Sequence, residues 1–231
     1  MTKLIQTSVL PAATAVRNGR VLRCAASALI LSAFSGLAAA TPVVDNVGDF
    51  LPSFIGTKGG DLDVKTAELR FDGNLFSFSS TLNGNIGTTP GALYVLGLDR
   101  GKGTARFGAS FAPGILFDEV IIVPAVGSAS VRDFISGQTT ALASSAVSIV
   151  GDTLRFSFPT SLAVTQGLTP DAYTWNFWPR NGLVSNSQIS DFAPDNMNAR
   201  VTVTSVPEPA TFALLGLGIA GLLLARKKFD A

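Results

Sequence analysis

Asp63-Val-Lys-Thr-Ala-Glu-Leu-Arg-Phe71, Asp72-Gly73, and Leu75-Phe-Ser-Phe-Ser-Ser-Thr-Leu82 decide the fold class. In the last of these stretches Phe76, Phe78 and Leu82 fall on one face, and Ser77, Ser79 and Thr81 on the other. That period of two is the mark of a half-buried strand. Asp-Gly between two such runs is a hairpin signal, because both residues tolerate the positive φ of a tight turn. Further along, Asn83-Gly84 reads as another turn. Ala92–Leu98 reads as a continuously apolar central strand. Phe117–Val123, Val147–Val150, Leu154–Phe158, Tyr173–Trp178 and Arg200–Thr204 read as further strands, with Gly151-Asp152 as a second hairpin turn. Only 129–136 and 160–166 allow short helices, and 41–60 reads as an irregular leading segment. Many short strands with Gly/Asp/Asn turns predict an all-β, antiparallel, jelly-roll-like β-sandwich spanning 41–206.

Composition narrows the chemistry. The 231 residues contain no histidine and a single cysteine, Cys24. Ser-His-Asp and Cys-His catalysis, Cys/His zinc sites and an intrachain disulfide are excluded. Residues 1–40 hold four bases and no acid. Residues 41–206 hold 10 bases against 14 acids, a net of −4. A mildly acidic body argues against a nucleic-acid partner.

Both ends read as addresses. Residues 1–40 form a secretory signal peptide: a basic stretch ending at Arg23, an apolar core to Leu37, and an A-x-A cleavage site in which Ala38 and Ala40 precede Thr41. At the other end, Val206-Pro207-Glu208-Pro209 is followed by 16 uncharged residues, Ala210 to Ala225, and then Arg226-Lys227-Lys228. The prolines keep the chain extended and open to a protease. Sixteen helical residues rise about 24 Å, short of a bilayer core of about 30 Å, so the span suits a temporary anchor. The basic cluster is a cytoplasmic stop.

Those three parts in order resemble the PEP-CTERM sorting signal, over residues 207–231. The resemblance implies an exported protein of a Gram-negative, exopolysaccharide-producing bacterium that uses the general secretory machinery. It implies an exosortase as partner, with Pro207, Glu208 and Pro209 as the recognition triplet and Arg226, Lys227 and Lys228 as the stop. The membrane is then a transient partner through the helix 210–225. Localisation runs from an inner-membrane intermediate to the cell surface or extracellular matrix. Gly97–Gly103, Phe117-Asp118, Trp175–Arg180 and Asp191–Asp195 also resemble the bodies of other PEP-CTERM proteins, which implies no activity.

Within the body, three constellations bear on function. Gly97-Leu-Asp-Arg-Gly-Lys-Gly103 lacks phosphate-loop spacing and lies between strands, so it reads as a solvated turn in which Asp99 and Arg100 pair or cap. Asp61 and Asp63 form one acidic group. Asp191, Asp195 and Asn196 form another, the better candidate for a structural calcium, which wants six to eight oxygen ligands. Tyr173, Trp175 and Phe177 share one strand face and read as core. Trp178 lies on the other face, where an open ring could stack on a sugar, with Arg180 as a cation–π partner. Asp118 and Glu119 are adjacent, so on a strand they point to opposite faces and cannot flank one bond. The expectation is a non-enzymatic structural or matrix-associated protein without a cofactor apart from that calcium. A carbohydrate-binding module for exopolysaccharide is the alternative.

Overall fold

The computed structural model describes residues 42–108 and 111–204. The expected signal peptide with its expected cleavage residues Ala38, Ala40 and Thr41 lies outside the described residues, as does the sorting signal from Pro207 to Lys228. Among the described residues no helix is long and apolar enough to cross a membrane.

Among the described residues twelve strands form two sheets. The first runs β1 (Val43–Val44), β2 (Val64–Phe71), β3 (Leu75–Leu82), β9 (Thr153–Pro159), β8 (Val147–Val150), with β12 (Thr202–Val203) also pairing β2. The second runs β11 (Ala199–Arg200), β10 (Thr174–Arg180), β4 (Leu93–Asp99), β5 (Glu119–Pro124), β6 (Ser130–Asp133), β7 (Thr139–Ala141). All pairs are antiparallel except β12 with β2. The all-β antiparallel sandwich expected from the alternation is the observed architecture.

The turn chemistry behaves as its residues dictate. Gly73 has φ 102°, and the Asp72 Oδ1 accepts from the Asn74 and Leu75 amides at 2.9 and 2.8 Å, closing the β2–β3 hairpin. Gly151, at φ 59°, turns β8 into β9. After Asn83-Gly84 the chain leaves the first sheet and enters the second, so this turn is a crossing.

Between the sheets lies the main core. Phe76 stacks on Phe158 and on Tyr173, with centroids 5.1 and 5.6 Å apart. Phe78 meets Phe177 at 4.8 Å and the edge of Trp175 at 5.9 Å. Tyr173, Trp175 and Phe177 therefore share the inner face, as the period of two requires. A second, smaller core covers the outer face of the second sheet. There Val95, Val120 and Trp178 pack under Ile115, Phe117, Ile189 and Phe192, from the segments before β5 and after β10. Being buried on both faces accounts for the unbroken apolar run of β4.

Two expectations are corrected. Residues 130–133 form strand β6, paired to β5, and 160–166 hold turns, so neither is helical. Ladder pairing with β5 overrides the local helix propensity of the first. The second is held as a turn by the Thr160 amide on the Asn74 carbonyl and the Tyr173 hydroxyl on the Ala163 carbonyl.

Candidate functional site

The fold gathers aspartates that are far apart in sequence. Asp45 and Asp49 come from the leading segment, Asp63 from the start of β2, and Asp191 and Asp195 from the loop after β10. Carboxylate oxygens of Asp45, Asp49 and Asp195 lie within 4.8 Å of one another, and so do those of Asp49, Asp63 and Asp191. Asp49 belongs to both groups. Backbone amides aim the two buried members. Asp191 accepts from the Val64 and Phe192 amides, both at 2.8 Å, and Asp63 accepts from the Gly48 amide at 3.0 Å and from Asn83 Nδ2 at 2.9 Å. No lysine or arginine forms an ion pair with any of the five among the described residues.

Uncompensated negative charge shifts the titration of these carboxyls. Burial, then the charges of Asp49 and Asp195, push Asp45 up to about 7. Burial pushes Asp191 up to about 8 against the pull of the Val64 amide, with Asp45 and Asp49 adding to the rise. Burial also raises Asp49. One Asp45 oxygen, Oδ2, is buried without a hydrogen-bond partner. Hard carboxylate oxygens converging without a counter-charge are a donor set suited to calcium. Asp191 and Asp195 are thus brought together with three aspartates, of which the sequence reading grouped Asp63 elsewhere and missed Asp45 and Asp49. Asn196 is not in the group, since its Oδ1 accepts from the Gly114 amide at 3.1 Å. Asp61 is also apart, holding the Thr89 amide at 2.8 Å.

A second charged cluster lies inside the sandwich. Arg100 follows β4 and is fully buried, as are Asp118 and Glu119. Its Nε donates to Asp118 Oδ1 at 2.7 Å and its Nη2 to Asp133 Oδ1 at 2.9 Å. Its Nη1 approaches Glu119 Oε2 at 2.8 Å off hydrogen-bond geometry, so neither Glu119 oxygen is hydrogen-bonded. Burial drives the Glu119 carboxyl up to about 8; Arg100 pulls it down, and Asp133 and Asp118 push it further up. At Asp133 burial also opposes the charge, but the Ile135 amide and Arg100 outweigh it and hold the group below the usual range.

Two readings change here. Asp99 does cap the turn, accepting from the Gly101 and Gly103 amides at 2.9 and 2.8 Å, but Arg100 turns inward instead of into solvent. Asp118 and Glu119 do not diverge, because β5 begins only at Glu119. Off the strand, Asp118 is free to reach the same guanidinium.

The aromatic candidate is also corrected. Trp178 is 2% exposed. Its ring centroid lies 5.1 Å from that of Phe107, 5.2 Å from Phe117 and 6.2 Å from Phe192, so its faces are not open to a sugar. Gly97 makes the room: a Cβ there would stand 2.5 Å from the Trp178 ring. Arg180 is buried and donates to the carbonyls of Gly182 and Ser185 rather than lying over the indole, and burial lowers its pKa.

Among protein families, the chain matches the PEP-CTERM protein-sorting motif over residues 205–228. No curated protein and no solved structure matches it. The motif makes the protein an exported, membrane-transiting one that is sorted by an exosortase.

Proposed function

We propose that the sorted product is a cell-surface or extracellular-matrix protein whose body acts structurally, without catalysis. The observation that carries this reading is the placement of the sorting motif directly against a folded body. Thr204 donates its amide to the Phe71 carbonyl at 2.8 Å, closing the edge of the first sheet. The motif begins at the next residue. The body's charges support the non-catalytic part. Asp118 and Glu119, the adjacent acids of the body, are both fully buried beside Arg100 in the interior.

A specific observation favours a second reading, a carbohydrate-binding module for exopolysaccharide. The outer face of the first sheet carries a groove lined by serines and arginines.

Intact mass of the protein from host cells, taken separately for membrane and secreted fractions, tests the first reading. The expected chain starts at Thr41 and ends between Pro207 and Pro209, alone or with an attached group. A surface-bound chain still ending at Ala231 would overturn sorting and leave a permanent anchor.

A further inference from the structure

A cavity of about 460 Å³ opens on the outer face of the first sheet. Strand register arranges its side chains in cross-strand rows. In one row Glu68 of β2 faces Ser79 of β3, Ser79 faces Arg155 of β9, and Arg155 faces Ser148 of β8. In the next row Arg70 faces Ser77, and Ser77 faces Ser157. Strands stand about 4.8 Å apart, so the longer row extends about 14 Å across the sheet. The turn at 144–146, through Ser145, adds a wall beside β8.

The charges in this groove are not equivalent. Arg70 is held by Glu68 at 2.8 Å. Arg155 is exposed and has no ion pair among the described residues. The two arginines against one glutamate leave the groove at +1, on a body whose described residues sum to −4. The aromatic residues of this lining, Phe78 and Phe156, are buried in the main core, which removes ring stacking as the means of recognition. What remains is a row of hydroxyls around one uncommitted guanidinium.

Resting on the carbohydrate-binding reading, we propose that this groove binds an acidic polysaccharide. Arg155 takes the carboxylate of a uronate-type sugar through its two-pronged fork. Ser77, Ser79, Ser148 and Ser157 exchange hydrogen bonds with the ring hydroxyls. Charge complementarity selects this occupant over a neutral glycan, because hydroxyl contacts alone replace water at little net gain.

The test is calorimetric titration of the full chain, held in detergent, with oligogalacturonate, a neutral maltooligosaccharide and sodium sulfate. Saturable binding of the oligogalacturonate is expected, with no saturation by the neutral sugar at the same concentrations. Arg155→Ala should weaken binding at least tenfold, and Arg155→Lys less, since it keeps the charge and loses the fork. Glu68→Gln should tighten binding by releasing Arg70. Arg155 is exposed, so an unchanged thermal midpoint separates lost binding from lost folding. Failure to bind oligogalacturonate, equal binding of the neutral sugar, or indifference to Arg155→Ala would overturn the proposal. So would full displacement by equimolar sulfate, which marks a simple anion site. A correctly sorted protein that binds no acidic glycan would sink this inference and leave the export reading standing.

Discussion

Replacing Glu119 by Gln should remove a pH dependence that the buried cluster builds into the fold. Glu119 lies at 0% exposure, with neither carboxylate oxygen hydrogen-bonded, and its pKa rises from 4.5 to about 8. The sign follows from proton binding. Between those two values the unfolded chain has released its proton while the folded chain keeps it, so stability falls as pH rises. Each unit of difference is worth about 1.36 kcal/mol. Between pH 5 and pH 8.5 the wild type should therefore lose about 4 kcal/mol at most from this group. The Gln variant, neutral in both states, should lose none of that share. Urea unfolding at the two pH values, on both proteins, gives the result as a double difference. Asp45 and Asp191 titrate in both proteins and cancel, as does any constant cost of placing an amide there. A wild-type-minus-variant gap that stays constant with pH would refute the reasoning. Glu119 would then be ionised in the folded state throughout, and Arg100 would hold a complete ion-pair network.

Other substitutions test other parts of the structure. Gly97→Ala pushes a methyl to 2.5 Å from the Trp178 ring and should cost about 1–3 kcal/mol, seen in the urea midpoint. A cost near zero would mean that the second core is loosely packed. Ser80 is buried with its hydroxyl unpaired, so Ser80→Ala should be neutral or stabilising by about 1 kcal/mol, and a clear loss would reveal a partner for that hydroxyl. Calcium at 100 times its dissociation constant should add about 2.7 kcal/mol of stability through the aspartate cluster, read as a rise in thermal midpoint. Asp191→Asn should abolish that rise, and a midpoint indifferent to calcium in the wild type would remove the cation reading.

Local pattern carried the strands. Phe76 and Phe78 against Ser77 and Ser79 could only make a one-sided strand, and Ala92–Leu98 announced burial on both faces. Period-two logic also put Trp175 and Trp178 on opposite faces. It could not say that Phe107, Phe117 and Phe192 fold over the second of these, because that contact depends on loops distant in sequence. The same limit hid the aspartate cluster. Asp45 and Asp195 are 150 positions apart, on segments that belong to different sheets, and only the packing of the leading segment against the loop after β10 brings them together. Arg100 defeated the reading for a different reason. A lone arginine in a glycine-rich turn is normally solvated, and only Asp118 just before β5, Glu119 at its start and Asp133 at the end of β6, all converging on it, make its burial tolerable. Residues 130–133 misled because a four-residue strand with a charged face carries little periodicity.

The hydrogen bond from Thr204 to Phe71 also fixes a leash. From that anchor point to Ala210, where the apolar run begins, the chain advances six residues. Fully extended, six residues reach about 22 Å. If the apolar run is the temporary anchor proposed above, the sandwich can explore only a thin layer of space against the bilayer until it is cut. On that proposal, cutting at the motif changes the territory of the body and not its shape. The same folded unit would pass from a thin layer beside the bilayer to the whole space beyond it.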